Sequence, residues 1–278
     1  MSDALMPSSS VPPLAGAIGV FDSGVGGLSV LRAIREALPA EDLIYVADSG
    51  HAPYGDKSEA HITARTLGVG QWLAKAGVKA ITVACNTATV VAVQSLRECT
   101  HLPVVAIEPA IKPAVALTRS GVVGVLATQQ TVQSASVARL CALHGADTRI
   151  LLQACPGWVE QVERADLSSP QTVSLIERDL APLLDAGADT LVLGCTHYPF
   201  LREAIRALAG PSVTLVDPAQ AVARELVRRL GTQVRDAQGP RGQVRFFTSG
   251  ELSQVRAVIR HLWDADAQVQ TLPADVRG

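Results

Sequence analysis

What the chain has little of narrows its chemistry. It carries only four lysines, Lys57, Lys75, Lys79 and Lys112, and none falls in a cofactor-binding pattern. A lysine Schiff base with pyridoxal phosphate therefore has no clear candidate. The five cysteines, at 85, 99, 141, 155 and 195, are an odd and scattered set. That argues against a disulfide framework and for a reducing compartment. No Cys-x-x-Cys or His-x-x-x-His spacing accompanies them, so no metal site is expected. A net charge of −2 provides no basic field for nucleic acid and no acidic tail for a basic partner. No apolar run reaches the length of a membrane span. Residues 1–16 are rich in Ser, Pro and Ala without a basic start or a long apolar centre, so they read as a disordered leader rather than a signal peptide. A cytoplasmic protein is expected.

What is present is a repeated alternation of short apolar runs and amphipathic stretches. The 278 residues are 48% hydrophobic, enough for one large α/β domain or two smaller ones. Strand-like runs at 17–21, 43–47, 80–84 and 103–107 alternate with an amphipathic helix after Gly24–Gly27, with apolar residues at 28, 31 and 34, and helical stretches at 58–76, 87–99 and 110–118. The pattern then restarts, with strands at 121–126, 149–153, 190–193 and 213–216 and helices running to about 142, over 171–185 and over 198–209. A helix to about 230, a strand at 243–247, a helix at 251–262 and a strand near 267–272 complete the chain. Such alternation predicts α/β architecture with mainly parallel sheets covered by helices. The restart is a weak internal repeat. Ile18-Gly-Val-Phe-Asp-Ser23 resembles Val123-Gly-Val-Leu-Ala-Thr128, and Val83-Ala-Cys85-Asn-Thr87 resembles Leu193-Gly-Cys195-Thr-His197. Two similar halves facing each other across a cleft are expected, with ligands at the carboxyl ends of the strands.

Cys85 and Cys195 end matching strands and open what read as helices. A buried packing role is the ordinary one for cysteine. The paired contexts, Asn86-Thr87 beside one and Thr196-His197 beside the other, favour two reactive thiols, each lowered in pKa by a helix N-terminus. His197 is placed to hold or remove a proton near neutral pH. Asp22-Ser23 opens a glycine-rich turn whose amides could receive a carboxylate or phosphate. The same turn, Gly24-Val-Gly26-Gly-Leu-Ser29, allows a dinucleotide-loop reading with Asp48 as the ribose-binding acid, though it lacks the third glycine and leaves both cysteines without a role. Glu163 falls in a short helix after Cys155-Pro156. It is either a surface acid or part of the site. Cys155, Cys99 and Cys141 read as structural or packing residues.

Four short motifs in order, Phe21-Asp-Ser-Gly-Val-Gly-Gly27, Ala52-Pro-Tyr-Gly55, Ala84-Cys-Asn-Thr87 and Gly194-Cys-Thr-His-Tyr-Pro199, resemble the bacterial glutamate racemases from about residue 17 to the end of the chain. The resemblance implies the aspartate/glutamate racemase fold, two α/β domains with the active site in the cleft between them. It implies a division into residues 17–108 with 215–278, and 109–214. It implies a cofactor-independent racemase that interconverts L- and D-glutamate and supplies D-glutamate for peptidoglycan. Cys85 and Cys195 would be the two proton carriers. Asp22 would assist Cys85, His197 would assist Cys195, and Glu163 would support them. Asp22, Ser23, Tyr54, Gly55, Asn86, Thr87, Thr196 and His197 would contact substrate. Gly157, Trp158 and Glu160 depart from the family pattern around Glu163. A homodimer is expected, with no nucleic-acid or membrane partner. The alternatives are a racemase of aspartate, or a DNA gyrase-binding role on the same fold. No feature of the sequence marks a gyrase surface.

Overall fold

The computed structural model describes residues 15–145 and 147–277. Most of the expected leader, residues 1–14, lies outside the described residues. Gly16 already belongs to the fold, its amide donating to Gly77 O at 2.9 Å.

The first half runs β1 (Ile18–Asp22), α1 (Leu28–Ala37), β2 (Leu43–Ala47), α2 (Glu59–Lys75), β3 (Ala80–Val83), α3 (Asn86–Glu98), β4 (Val104–Ala106) and α4 (Ile111–Leu117). The second runs β5 (Val122–Ala127), α5 (Gln129–Gln133), α6 (Ala135–His144), β6 (Arg149–Ala154), α7 (Trp158–Glu163), α8 (Pro170–Asp185), β7 (Thr190–Leu193), α9 (Arg202–Ala209) and β8 (Thr214–Val216). The chain then returns through α10 (Ala219–Leu230), β9 (Val244–Thr248), α11 (Leu252–Leu262), β10 (Val269–Thr271) and α12 (Ala274–Arg277). No helix among the described residues is long and apolar enough to cross a membrane.

Two wholly parallel sheets result. One has six strands in the order β10-β9-β2-β1-β3-β4, and the other four in the order β6-β5-β7-β8. The order β2-β1-β3-β4 is that of β6-β5-β7-β8, element for element, so the weak sequence repeat marks two copies of one topology. The strand ends match as well. Ala84 N donates to Phe21 O and Gly194 N to Leu126 O, each at 2.7 Å, while Asp48 N reaches Asp22 O and Cys155 N reaches Ala127 O, each at 3.0 Å. In both sheets the strand order reverses beside the first strand. The crevice at such a switch point, outside the carboxyl ends, is where open α/β sheets hold ligands. Cys85 follows β3 and Cys195 follows β7, one at each switch point.

The core explains why the halves stay together. Leu28, Leu31 and Ile34 on one face of α1 belong to a single apolar cluster with Leu126, Trp158, Tyr198 and Leu201 of the other half and Leu226 of α10. Burying such a leucine contributes about 1.5–3 kcal/mol.

The structure departs from the sequence expectation in three places. The single helix expected to about 142 is two, α5 and α6. Thr128 and Ser134 each cap a new helix, accepting from Thr131 N and Val137 N, and Ser134 is extended at ψ 140°. The helix expected from Tyr198 begins as a 3₁₀ turn, Tyr198–Leu201, with Pro199 in its first turn, and becomes α-helical only at Arg202. Cys99 lies just past the end of α3 and is exposed, so it is not a packing residue.

Candidate active site

β1 ends at Asp22, which is fully buried. Its Oδ2 accepts the amides of Gly24 (3.2 Å) and Gly27 (3.0 Å), and its Oδ1 accepts the Thr196 hydroxyl from the other half (3.3 Å). Burial pushes the Asp22 carboxyl up to about 6. The nearby His197 and the two amides pull against that rise, and Glu163 adds to it.

Cys85 sits at the start of α3, as the strand-to-helix reading requires. Its sulfur caps the helix, accepting Ala88 N at 3.4 Å, and its thiol donates to Ser23 Oγ at 3.4 Å. The expected fall in its pKa is overturned. Burial, reinforced by the Asp22 carboxylate, pushes the Cys85 thiol well up, and the Ser23 and Ala88 hydrogen bonds offset only part of the rise. A few partial charges at a helix end do not compensate for removing a thiolate from water.

Cys195 has different support. No α-helix starts beside it; the 3₁₀ turn does, and its partner is a side chain. His197 Nδ1 lies 3.6 Å from Cys195 Sγ, and His197 Nε2 lies 2.7 Å from Glu163 Oε1. Burial lowers the pKa of this imidazole, but hydrogen bonds to Cys195 and Glu163 more than offset it, so His197 is held well above its ordinary value. Glu163, the last residue of α7, is therefore a buttress of His197 rather than a free surface acid. Trp158 fixes α7 by packing on Tyr198, ring centroids 4.8 Å apart, and by donating to Leu175 O at 3.4 Å.

The glycine-rich turn binds no dinucleotide in this arrangement. Its Gly24 and Gly27 amides are held by Asp22 and its Val25 amide by Glu163 Oε1 at 2.6 Å. A Cβ at Gly24 would collide with Glu163 Oε1, and one at Gly26 with His197 Nδ1. The glycines admit the Glu163–His197 pair, not a pyrophosphate. Asp48 is equally committed. Tyr54 donates to its Oδ2 at 2.6 Å, and Arg65 grips both oxygens at 2.9 and 2.7 Å. That fork braces the Pro53–Gly55 wall of the site.

Cys85 and Cys195 line one cavity, together with Ser23, Tyr54, Gly55, Asn86, Thr87, Thr196 and His197. Every expected contact residue is there except Asp22, which stands behind Thr196. Both amide atoms of Asn86 are buried without a protein partner, an arrangement that suits a polar ligand. The sequence reading passed over Pro53, Val159 and Thr128 as wall residues. Thr128 had a signal: it is the repeat's counterpart of Ser23, and its hydroxyl lies 2.9 Å from that of Thr87. The space left is only about 10 Å³, room for about one water. Two larger hollows, about 470 Å³ beside Arg241 and about 570 Å³ between α3 and α6, contain none of these groups. Cys155 is buried, its thiol pushed up by burial, which suits an inert structural residue. Among the described residues no cluster of three or more His, Cys, Asp or Glu could hold a metal.

The family profile of Asp/Glu/Hydantoin racemase matches residues 18–226. Glutamate racemase of Methylococcus capsulatus is 52% identical over 259 residues, covering 92% of this chain and 95% of that protein. The crystal structure of a glutamate racemase isoform from Bacillus anthracis superposes with a TM-score of 0.84 at 32% identity, over 94% of this chain and 98% of the other. The glutamate racemase of Francisella tularensis, solved in complex with D-glutamate, gives 0.80 at 28% identity, over 94% and 98%. The motifs at both switch points, the shared topology and these likenesses agree: the chain belongs to the glutamate racemase family, within the aspartate, glutamate and hydantoin racemases.

Proposed function

We propose that this protein interconverts L- and D-glutamate by moving the α-proton between Cys85 and Cys195, without a cofactor. The observation that carries this reading is the pair of cysteines lining one cavity in unlike electrostatic surroundings. Inversion needs one basic and one acidic thiol at any moment. Burial beside Asp22 holds Cys85 as the acid, while protonated His197 supplies the positive charge that a thiolate at Cys195 requires. Cys195 removes the α-proton from one face, and Cys85 delivers its proton to the other. The reverse direction needs the opposite charge state. Asp22, with a pKa of about 6, is poised to accept the proton that Cys85 gives up on that side.

An amino-acid α-carbon is a far weaker acid than a thiol, so the carbanion-like state must be strongly stabilised. Asn86, whose buried amide has no protein partner, and the Ser23 hydroxyl line the cavity and supply donors where there is room for only about one water. Glutamate does not fit the closed cavity, so substrate enters as the walls part and reacts when they close. The division into residues 17–108 with 215–278 and 109–214 is part of this reading, one unit on each side of the cleft. The working unit is taken to be a homodimer, which light scattering tests. The family's role implies that the D-glutamate serves peptidoglycan.

Cys85→Ser and Cys195→Ser are each expected to abolish racemisation. Each should still release the α-proton of one glutamate enantiomer into deuterium oxide, the two variants choosing opposite enantiomers. Full two-way turnover by either variant refutes the mechanism. Repeating the exchange with aspartate decides the substrate.

A further inference from the structure

The relay behind Cys195 is built from both halves of the molecule. Cys195, His197 and Glu163 come from the half with the four-stranded sheet. The groups that hold Glu163 come from the other half. Val25 N, from the glycine-rich turn, donates to Oε1 at 2.6 Å, and the Ser49 hydroxyl, just past β2, donates to Oε2 at 3.2 Å. Oε1 also receives His197 Nε2, so three donors fix the carboxylate and two of them lie across the cleft. The Cys85 side differs. Ser23 and Ala88, which hold its thiol, belong to the same half as Cys85 itself.

We propose that Ser49, with the Val25 amide, is a positioning residue that locks Glu163 behind His197, so that the Cys195 relay is complete only while the two halves are closed. Opening the cleft withdraws both donors together. Glu163 is then free to turn from His197, and the imidazole loses the anion that keeps it protonated. Other ionisable groups that face this centre are Cys195 on the same turn, Asp22 from β1, Cys85 from α3 and Tyr45 from β2. None is held across the cleft as Glu163 is by Ser49, although Asp22 does receive the Thr196 hydroxyl. Closure thus sets the protonation of one of the two proton carriers, and this rests on the two-thiol reading above.

Ser49→Ala and the conservative Ser49→Thr test it. Removing a hydrogen bond to a charged group is expected to lower kcat by about tenfold with KM within about twofold, and Ser49→Thr to restore it. The discriminating readout is the primary isotope effect with α-deuterated glutamate. The enantiomer whose α-proton Cys85→Ser still releases is the one Cys195 deprotonates. In Ser49→Ala its isotope effect should rise, while that of the other enantiomer falls. A general packing defect would move both alike. The His197 imidazole, followed by nitrogen-15 NMR, should titrate at lower pH in Ser49→Ala than in the unaltered protein, a readout that needs no turnover. Unchanged kcat, isotope effects that shift together, or an unmoved His197 titration overturns the proposal. If the unaltered protein does not racemise glutamate, the two-thiol reading fails and the NMR comparison still decides whether Ser49 anchors Glu163.

Discussion

Asp22 shows what the site costs at the level of one residue. Its carboxyl is raised from 3.8 to about 6 by burial. A carboxyl raised on folding stabilises the folded state fully below the unfolded value near 3.8, and that contribution is lost as pH rises through about 6. Above pH 6 the buried charge is therefore a net cost. Asp22→Asn should gain about 1–3 kcal/mol of stability at pH 8, with the gain vanishing toward pH 4. It should also lose most racemase activity, because the variable charge behind Cys85 is gone. Thermal unfolding at the two pH values checks the sign, and a uniform gain at both would contradict it. Single residues were also where sequence reasoning was strongest. Both cysteines, Asn86 and His197 could be located from their motifs, because each stands at a strand end with small polar neighbours. The thiol pKa could not be. It depends on how deeply Cys85 is buried and on Asp22 beside it, neither of which a strand-to-helix pattern reveals.

α7 is the element on which the site's asymmetry depends. It is six residues long and must stop at Glu163. It stops through Ala165, the one non-glycine among the described residues with a positive φ, at 57°. That conformation favours glycine. Ala165→Gly should stabilise the protein by about 0.5–1 kcal/mol with kcat unchanged, read by denaturant unfolding. If it destabilises instead, Ala165 contributes packing that outweighs its backbone. Strand positions emerged from the sequence nearly intact, because parallel strands buried on both faces read as short apolar runs. Helix starts were harder. The break at Ser134 and the 3₁₀ turn at Tyr198 turn on a capping hydroxyl and a proline, local features that apolar periodicity passes over. Glu163 was readable only as one of two possibilities, since its partners Val25, Ser49 and His197 are all distant in sequence.

For the whole molecule, the closed cavity makes motion part of the reaction. Beyond the Glu163 anchors, Gln130 Nε2 donates to Lys57 O and Ser29 Oγ to Thr196 O, each at 3.0 Å, the Thr196 hydroxyl reaches Asp22, and the Thr87 and Thr128 hydroxyls meet, so these contacts span the halves and must yield together or in part. Saturating glutamate should slow hydrogen exchange at the Val25 amide and over residues 49–57 while leaving β4 and α8 unchanged, measured by mass spectrometry or NMR. Uniform slowing would mean a global stabilisation instead. The two-sheet architecture was legible from the repeat alone, since the same order of runs occurs twice. How tightly the halves close was not, because it is set by side chains meeting from opposite ends of the chain.

The unlike supports of the two sulfurs have one further consequence. Mirror-image substrates have equal free energy, so thermodynamics obliges the enzyme to show the same kcat/KM for both. A lopsided site can express itself only in how that ratio divides. One enantiomer should saturate at lower concentration and turn over more slowly, the other bind weakly and turn over faster, by the same factor.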